Sequence, residues 1–234
     1  MSSQCALCEF AHIQTNRYSF VIRGALRTIR GSATHEPLVS RFQTLFVPDW
    51  RGADAAHWLR LWAAEASDAL WFTPPDDSTP HRDAWLASLE ATVLAADTPL
   101  VLVAHGLGCI AAAHLAPETA ARVHGALLVA PCDPERRAQL SSFAPVPYAP
   151  LPYRSVMVAS SNDPGCPVRL AGAYARAWGS EFVRMQNAGH IDTDSGHGPW
   201  PLGQALFQSL THGDAPPAPA PRATTFPSER LAHP

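Results

Sequence analysis

Residues 42–212 predict a single α/β domain, a mainly parallel sheet of about six strands flanked by helices. Short apolar runs alternate with helix-like segments, the order that builds a parallel sheet wrapped by helices. Runs such as Leu100 to Ala104 are apolar without alternation, as strands covered on both faces must be. The chain, 234 residues with 47% hydrophobic and 16% charged, is long and apolar enough to close one core.

The elements follow in order. Strands are expected at 43–48, 70–72, 100–105, 125–131, 155–160 and 182–186. Helices are expected at 57–66, 82–96, 107–116, 169–178 and 202–211. In the second helix Trp85, Leu86, Leu89, Val93 and Leu94 recur at helical spacing and predict a buried stripe. Ligands of such sheets bind beyond the carboxyl ends of the strands, here near Pro48, Gly106, Cys132 and Ser161. Residues 1–41 read as an irregular extension with Arg17, Arg23, Arg27, Arg30 and Arg41 against Glu9 and Glu36. A start codon assigned upstream of the domain explains that composition better than a targeting peptide. Residues 213–234 read as a Pro/Ala-rich tail, extended or disordered.

Composition excludes several classes of function. The net charge of -3 gives no polyanion-binding surface, so no nucleic-acid partner is expected. No apolar run approaches the ~18 residues of a membrane span, and no signal-peptide layout opens the chain. Five scattered cysteines, an odd number, argue against a disulfide framework and for a reducing cytoplasm. Cys5 and Cys8 with His12 have zinc-like spacing but no second ligand pair, so no metal and no cofactor is expected.

The chemistry is concentrated in three segments. Leu100 to His114 is an apolar strand, a tight turn of small residues and an alanine-rich helix. Such a turn usually reads G-x-S-x-G and holds a nucleophilic serine above the sheet. Here it reads Ala104-His105-Gly106-Leu107-Gly108, so Gly106 stands at the nucleophile's position and the hydroxyl is missing. A second strand runs into Asn162-Asp163-Pro164, and a third is followed by Gly189-His190. An aspartate fixes the imidazole tautomer and steadies its charged form, and the imidazole takes the nucleophile's proton.

The chain resembles the small serine-hydrolase family of YdeN and retinoblastoma-binding protein 9, within the α/β-hydrolase superfamily. The resemblance rests on Phe46-Val47-Pro48-Asp49-Trp50-Arg51-Gly52-Ala53 with His57-Trp58, and on Val101 through Cys109. It continues through Ser161-Asn162-Asp163-Pro164 and the run from Gly189 to Pro201, and spans roughly residues 42–212. It implies a single α/β-hydrolase-type domain with the nucleophile position at Gly106, the acid at Asp163 and the base at His190. It also implies an oxyanion and substrate-binding region formed by Asp49, Trp50 and the amide of Leu107. The family usually has glycine where this chain has Asp49. The expected substrate class is small acyl esters, with weak or no serine esterase activity. The alternatives are a ligand- or partner-binding module without turnover, and an active hydrolase in which Gly106 is an engineered substitution. A protein partner remains open, and a membrane partner is not expected.

Glycine at the turn should leave the fold intact, because it enters freely the strained conformation that costs other residues ~1–3 kcal/mol. A hydroxyl returned at 106 is therefore expected to find a nearly complete site. Other candidates read as structural. His105 belongs to the turn, and His197 to packing or the rim. Cys109 should be a buried small hydrophobe, while Cys132 and Cys166 lie near enough to reach the pocket. Trp58, Trp62, Trp71 and Trp85 should be core, and Trp50 is a candidate pocket wall.

Overall fold

A computed structural model of the chain describes residues 42–75 and 79–212. The expected 1–41 extension, the Cys5–Cys8 pair and the 213–234 tail lie outside the described residues.

The six expected strands are present as β1 (Gln43–Val47), β2 (Ala69–Trp71), β3 (Leu100–His105), β4 (Val123–Val129), β5 (Arg154–Ser160) and β6 (Glu181–Met185). They pair in the order β2-β1-β3-β4-β5-β6, and every pairing is parallel. The chain leaves β1 toward β2 on one side, then returns to place β3 on the other. The crevice at the carboxyl ends of β1 and β3 is thus a topological switch point, where open α/β sheets bind ligands.

Helices cover both faces. Phe46, Val103, Leu127, Val156 and Val158 point to one side, where Trp58, Leu59 and Trp62 of α1 (Trp58–Glu65) pack with Trp200 and Leu210. Leu210 belongs to α6 (Pro201–His212), which shares that side of the sheet. Leu45, Val47, Leu102, Ala104, Leu128 and Met157 point to the other side. There they meet α2 (Arg82–Leu94), α3 (Leu107–Ala113) and α5 (Val168–Trp178). This two-sided burial is why the strands lack alternation.

Local signals set the helix limits. The His57 imidazole caps α1 by accepting a hydrogen bond from the Leu59 amide at 3.1 Å. Gly179, at φ 72°, closes α5 in the left-handed conformation that suits glycine. In α2 the buried stripe is Trp85, Leu89 and Val93, four residues apart, while Leu94 is 52% exposed. Leu94 follows Val93 by ~100° of helical rotation, which carries it off the stripe. The expected helix at 107–116 stops at Ala113, and a separate turn, α4 (Pro117–Ala120), begins at Pro117, whose ring is suited to a first helical position. Two 3-10 segments at Pro134–Arg136 and Ala138–Phe143 lie between β4 and β5, the second burying Leu140 and Phe143 three residues apart.

Candidate active site

Four loops at the carboxyl ends of β1, β3, β5 and β6 bring Asp49, Gly106, Asp163 and His190 to one end of the sheet. Asp49, His190, Trp50 and Cys132 line a cavity of about 280 Å³.

The turn after β3 has the geometry its sequence implies. Gly106 adopts φ 57° and ψ -119°, a conformation that strains any residue with a Cβ. The reason this chain needs glycine there is also steric. A Cβ on Gly106 would lie 2.7 Å from Asp49 Cβ and nearer still to its Cγ and Oδ1. The Leu107 amide donates to Asp49 Oδ1 at 2.7 Å. The carboxylate thus fills the space that a side chain at 106 would enter and engages the first amide of α3. Asp49, expected in an oxyanion and substrate-binding region with Trp50 and the Leu107 amide, lines the cavity with its carboxylate on that amide.

Opposite this group, His190 Nδ1 donates to Asp163 at 2.9 Å to Oδ1 and 3.1 Å to Oδ2. The Asp163 side chain is 2% exposed, and its Oδ1 also accepts from the Gly165 amide at 2.6 Å. With Nδ1 committed to the carboxylate, Nε2 is the nitrogen left to accept a proton. Burial pulls the His190 imidazole down, but the hydrogen bond and charge of Asp163, helped by Asp49 and Asp192, outweigh it, so its pKa is raised above the ordinary 6.5.

Gly165 makes this pair possible. A Cβ there would meet His190 Cε1 at 2.9 Å and Asp163 Oδ1 at 3.1 Å. Nothing in the sequence marks Gly165 beyond its place in a turn. The loop carrying His190 is tied down from the other face, where the Trp58 indole donates to the Ile191 carbonyl at 2.8 Å.

His57 and His105 extend the site inward. His105 Nε2 donates to the His190 carbonyl at 2.9 Å, and its ring meets those of His57 and His190 edge-on at centroid distances of 4.9 and 4.8 Å. Burial, then the neighbouring imidazole charges, push both down, His57 to about 3. Both are therefore neutral spacers near pH 7. His57 Nε2 is buried with no hydrogen-bond acceptor among the described residues, its ring turned to the His105 ring. His105 belongs to the turn in sequence, and the fold sets it edge-on between His57 and His190.

The thiols are poor nucleophiles. Cys109 is fully buried, with its sulfur against the Ala104 and Val129 carbonyls at 3.4 and 3.3 Å. Cys132 lines the cavity, and burial holds its thiol well above the usual range. Cys166 is also pushed up, to about 12. Trp50, 9% exposed, forms a cavity wall under the Arg51 guanidinium, 4.7 Å from its ring. His197 packs edge-on to Trp200. Among the described residues, no group of three or more His, Cys, Asp or Glu is placed to hold a metal, and no helix is long and apolar enough to cross a membrane.

Comparisons with known proteins agree with this architecture. The family model for serine hydrolases matches residues 44–209. A YdeN-like hydrolase from Pectobacterium atrosepticum superposes with a TM-score of 0.67 at 27% identity, over 73% of this chain and 91% of that one. The ydeN gene product of Bacillus subtilis gives 0.59 at 20%, over 72% and 98%. Esterase 2 from Thermogutta terrifontis gives 0.59 at 15%, over 79% and 88%, a likeness of fold. No curated protein matches the chain.

Proposed function

The chain belongs to the serine hydrolase family, and from that premise we propose that it binds small molecules without serine esterase chemistry. In this reading Asp163 and His190 form an acid–base pair over the cavity, and Gly106 holds the nucleophile's position without a nucleophile. One observation carries it: Asp49 Oδ1 accepts from the Leu107 amide at 2.7 Å, in the space where a serine side chain would start. An acyl-enzyme route needs both an attacking hydroxyl and a donor for the developing oxyanion. At position 106 the chain offers no hydroxyl, and the Leu107 amide is engaged by Asp49.

The cavity, at about 280 Å³, fits a small acyl ester or a ligand of similar size. The same engagement of the amide favours a second reading, a pocket that holds such a ligand without turnover. A fluorophosphonate probe tests the proposal. The native chain should stay unlabelled and hydrolyse p-nitrophenyl acetate no faster than free imidazole at the same concentration. Covalent labelling of Thr193, which lines the cavity, or of any serine of the chain would overturn it.

A further inference from the structure

We propose that Asp49 is itself a nucleophile, and that the site hydrolyses small alkylating electrophiles through an ester on its carboxylate. The inference rests on the reading of His190 with Asp163 as the base of this cavity. Carboxylates serve as nucleophiles in covalent catalysis, and this one fills the space that a side chain at 106 would enter, at the turn after β3. The Leu107 amide fixes one oxygen, leaving the other to attack.

The location of that amide selects the substrate class. Attack on an acyl carbon would put an oxyanion on the substrate, and the elbow amide is already bound to Asp49. Displacement at a saturated carbon creates no such oxyanion. In the first step an Asp49 oxygen forms a bond to the carbon of R–X. The C–X bond breaks, and X leaves as an anion with the bonding pair. Arg51 and Arg137 line the cavity and supply positive charge for that anion.

In the second step the amide becomes useful. Water gives a proton to His190 Nε2 while its oxygen attacks Cγ of the Asp49 ester. The imidazolium is steadied by Asp163, 2.9 Å from Nδ1. The new oxyanion forms on Oδ1, the atom the Leu107 amide already holds. Collapse breaks the bond between Cγ and the alkyl-bearing oxygen, and the alcohol leaves with the proton from His190. The sum is R–X plus water giving ROH plus HX, with the carboxylate regenerated.

The test uses the native chain in excess over 4-nitrobenzyl bromide or 1-bromobutane in ¹⁸O-labelled water, for one turnover. Bromide release should exceed the uncatalysed rate, and ¹⁸O should appear in the peptide carrying Asp49 while the alcohol carries ¹⁶O. In His190→Gln the alkyl ester should accumulate on Asp49 as a mass increase, and Asp49→Asn should release bromide at the background rate. Label in the alcohol alone would make Asp49 at most a base and overturn the proposal. So would absence of release and adduct with both bromides, or alkylation confined to Cys132 or His190. None of these outcomes alters fluorophosphonate labelling, so failure here is separable from failure of the reading on which it rests.

Discussion

The Asp49 carboxylate and Gly106 are sterically complementary: the side chain of one fills the space that a Cβ on the other would need. Both lie at the switch point, after the adjacent strands β1 and β3. Restoring serine at 106 alone therefore collides with Asp49 and leaves the Leu107 amide occupied. Gly106→Ser should fold less stably and gain no esterase activity. Asp49→Gly with Gly106→Ser should take a fluorophosphonate label and hydrolyse p-nitrophenyl acetate faster by several powers of ten, the scale on which elbow nucleophiles act. Comparable esterase activity in the single and double variants would show that Asp49 does not obstruct the turn.

The central strands were legible because their signal is local: an apolar run such as Leu100 to Ala104 is long enough to identify a covered strand. The order of Gly106, Asp163 and His190 was legible for the same reason, since each follows a strand. The engagement of the Leu107 amide by Asp49 was not. It joins residues 58 apart through a side-chain rotamer, and no sequence period encodes it. The role of Gly165 has no sequence signal, because it lies in the lack of a Cβ against His190, a side chain 25 positions away.

His57 should make stability depend on acid pH. Its folded pKa is about 3, below the ordinary 6.5, so the folded state disfavours the proton that the unfolded chain accepts. The stability linked to this group is full above 6.5 and lost as pH falls toward 3. His57→Asn keeps a side chain able to cap α1. Between pH 7 and 4 its unfolding free energy should fall less steeply than that of the native chain, as read by urea denaturation at each pH. Parallel slopes would show that His57 does not carry the linkage.

Trp58 should act on the base from a distance. It is fully buried, packs on Trp62 and Trp200 at centroid distances of 4.8 and 5.1 Å, and holds Ile191 through its indole. Trp58→Phe removes the donor and part of the ring, costing ~1–3 kcal/mol in unfolding free energy. Amide exchange at Ile191 and Asp192 should accelerate more than at Leu102 in the sheet. A uniform change would mean that the indole bond does not tether the His190 loop.

Gly165→Ala tests how the acid and base are held together. The added methyl would approach His190 Cε1 and Asp163 Oδ1 at 2.9 and 3.1 Å, too close for both to stay in place. Separating the imidazole from the carboxylate removes the interaction that raises the His190 pKa, while burial, which lowers it, persists. The His190 titration followed by NMR should therefore move down in Gly165→Ala, and further down in Asp163→Asn, where the charge itself is gone. Stability should respond with matching sign. The raised native pKa contributes stability below the unfolded value near 6.5, and this is lost as pH rises through the folded value. In both variants that loss should shrink, so their stability deficit relative to the native chain is larger at pH 6 than at pH 9. An unchanged His190 titration in Gly165→Ala would mean that the loop yields to the methyl group without disturbing the pair.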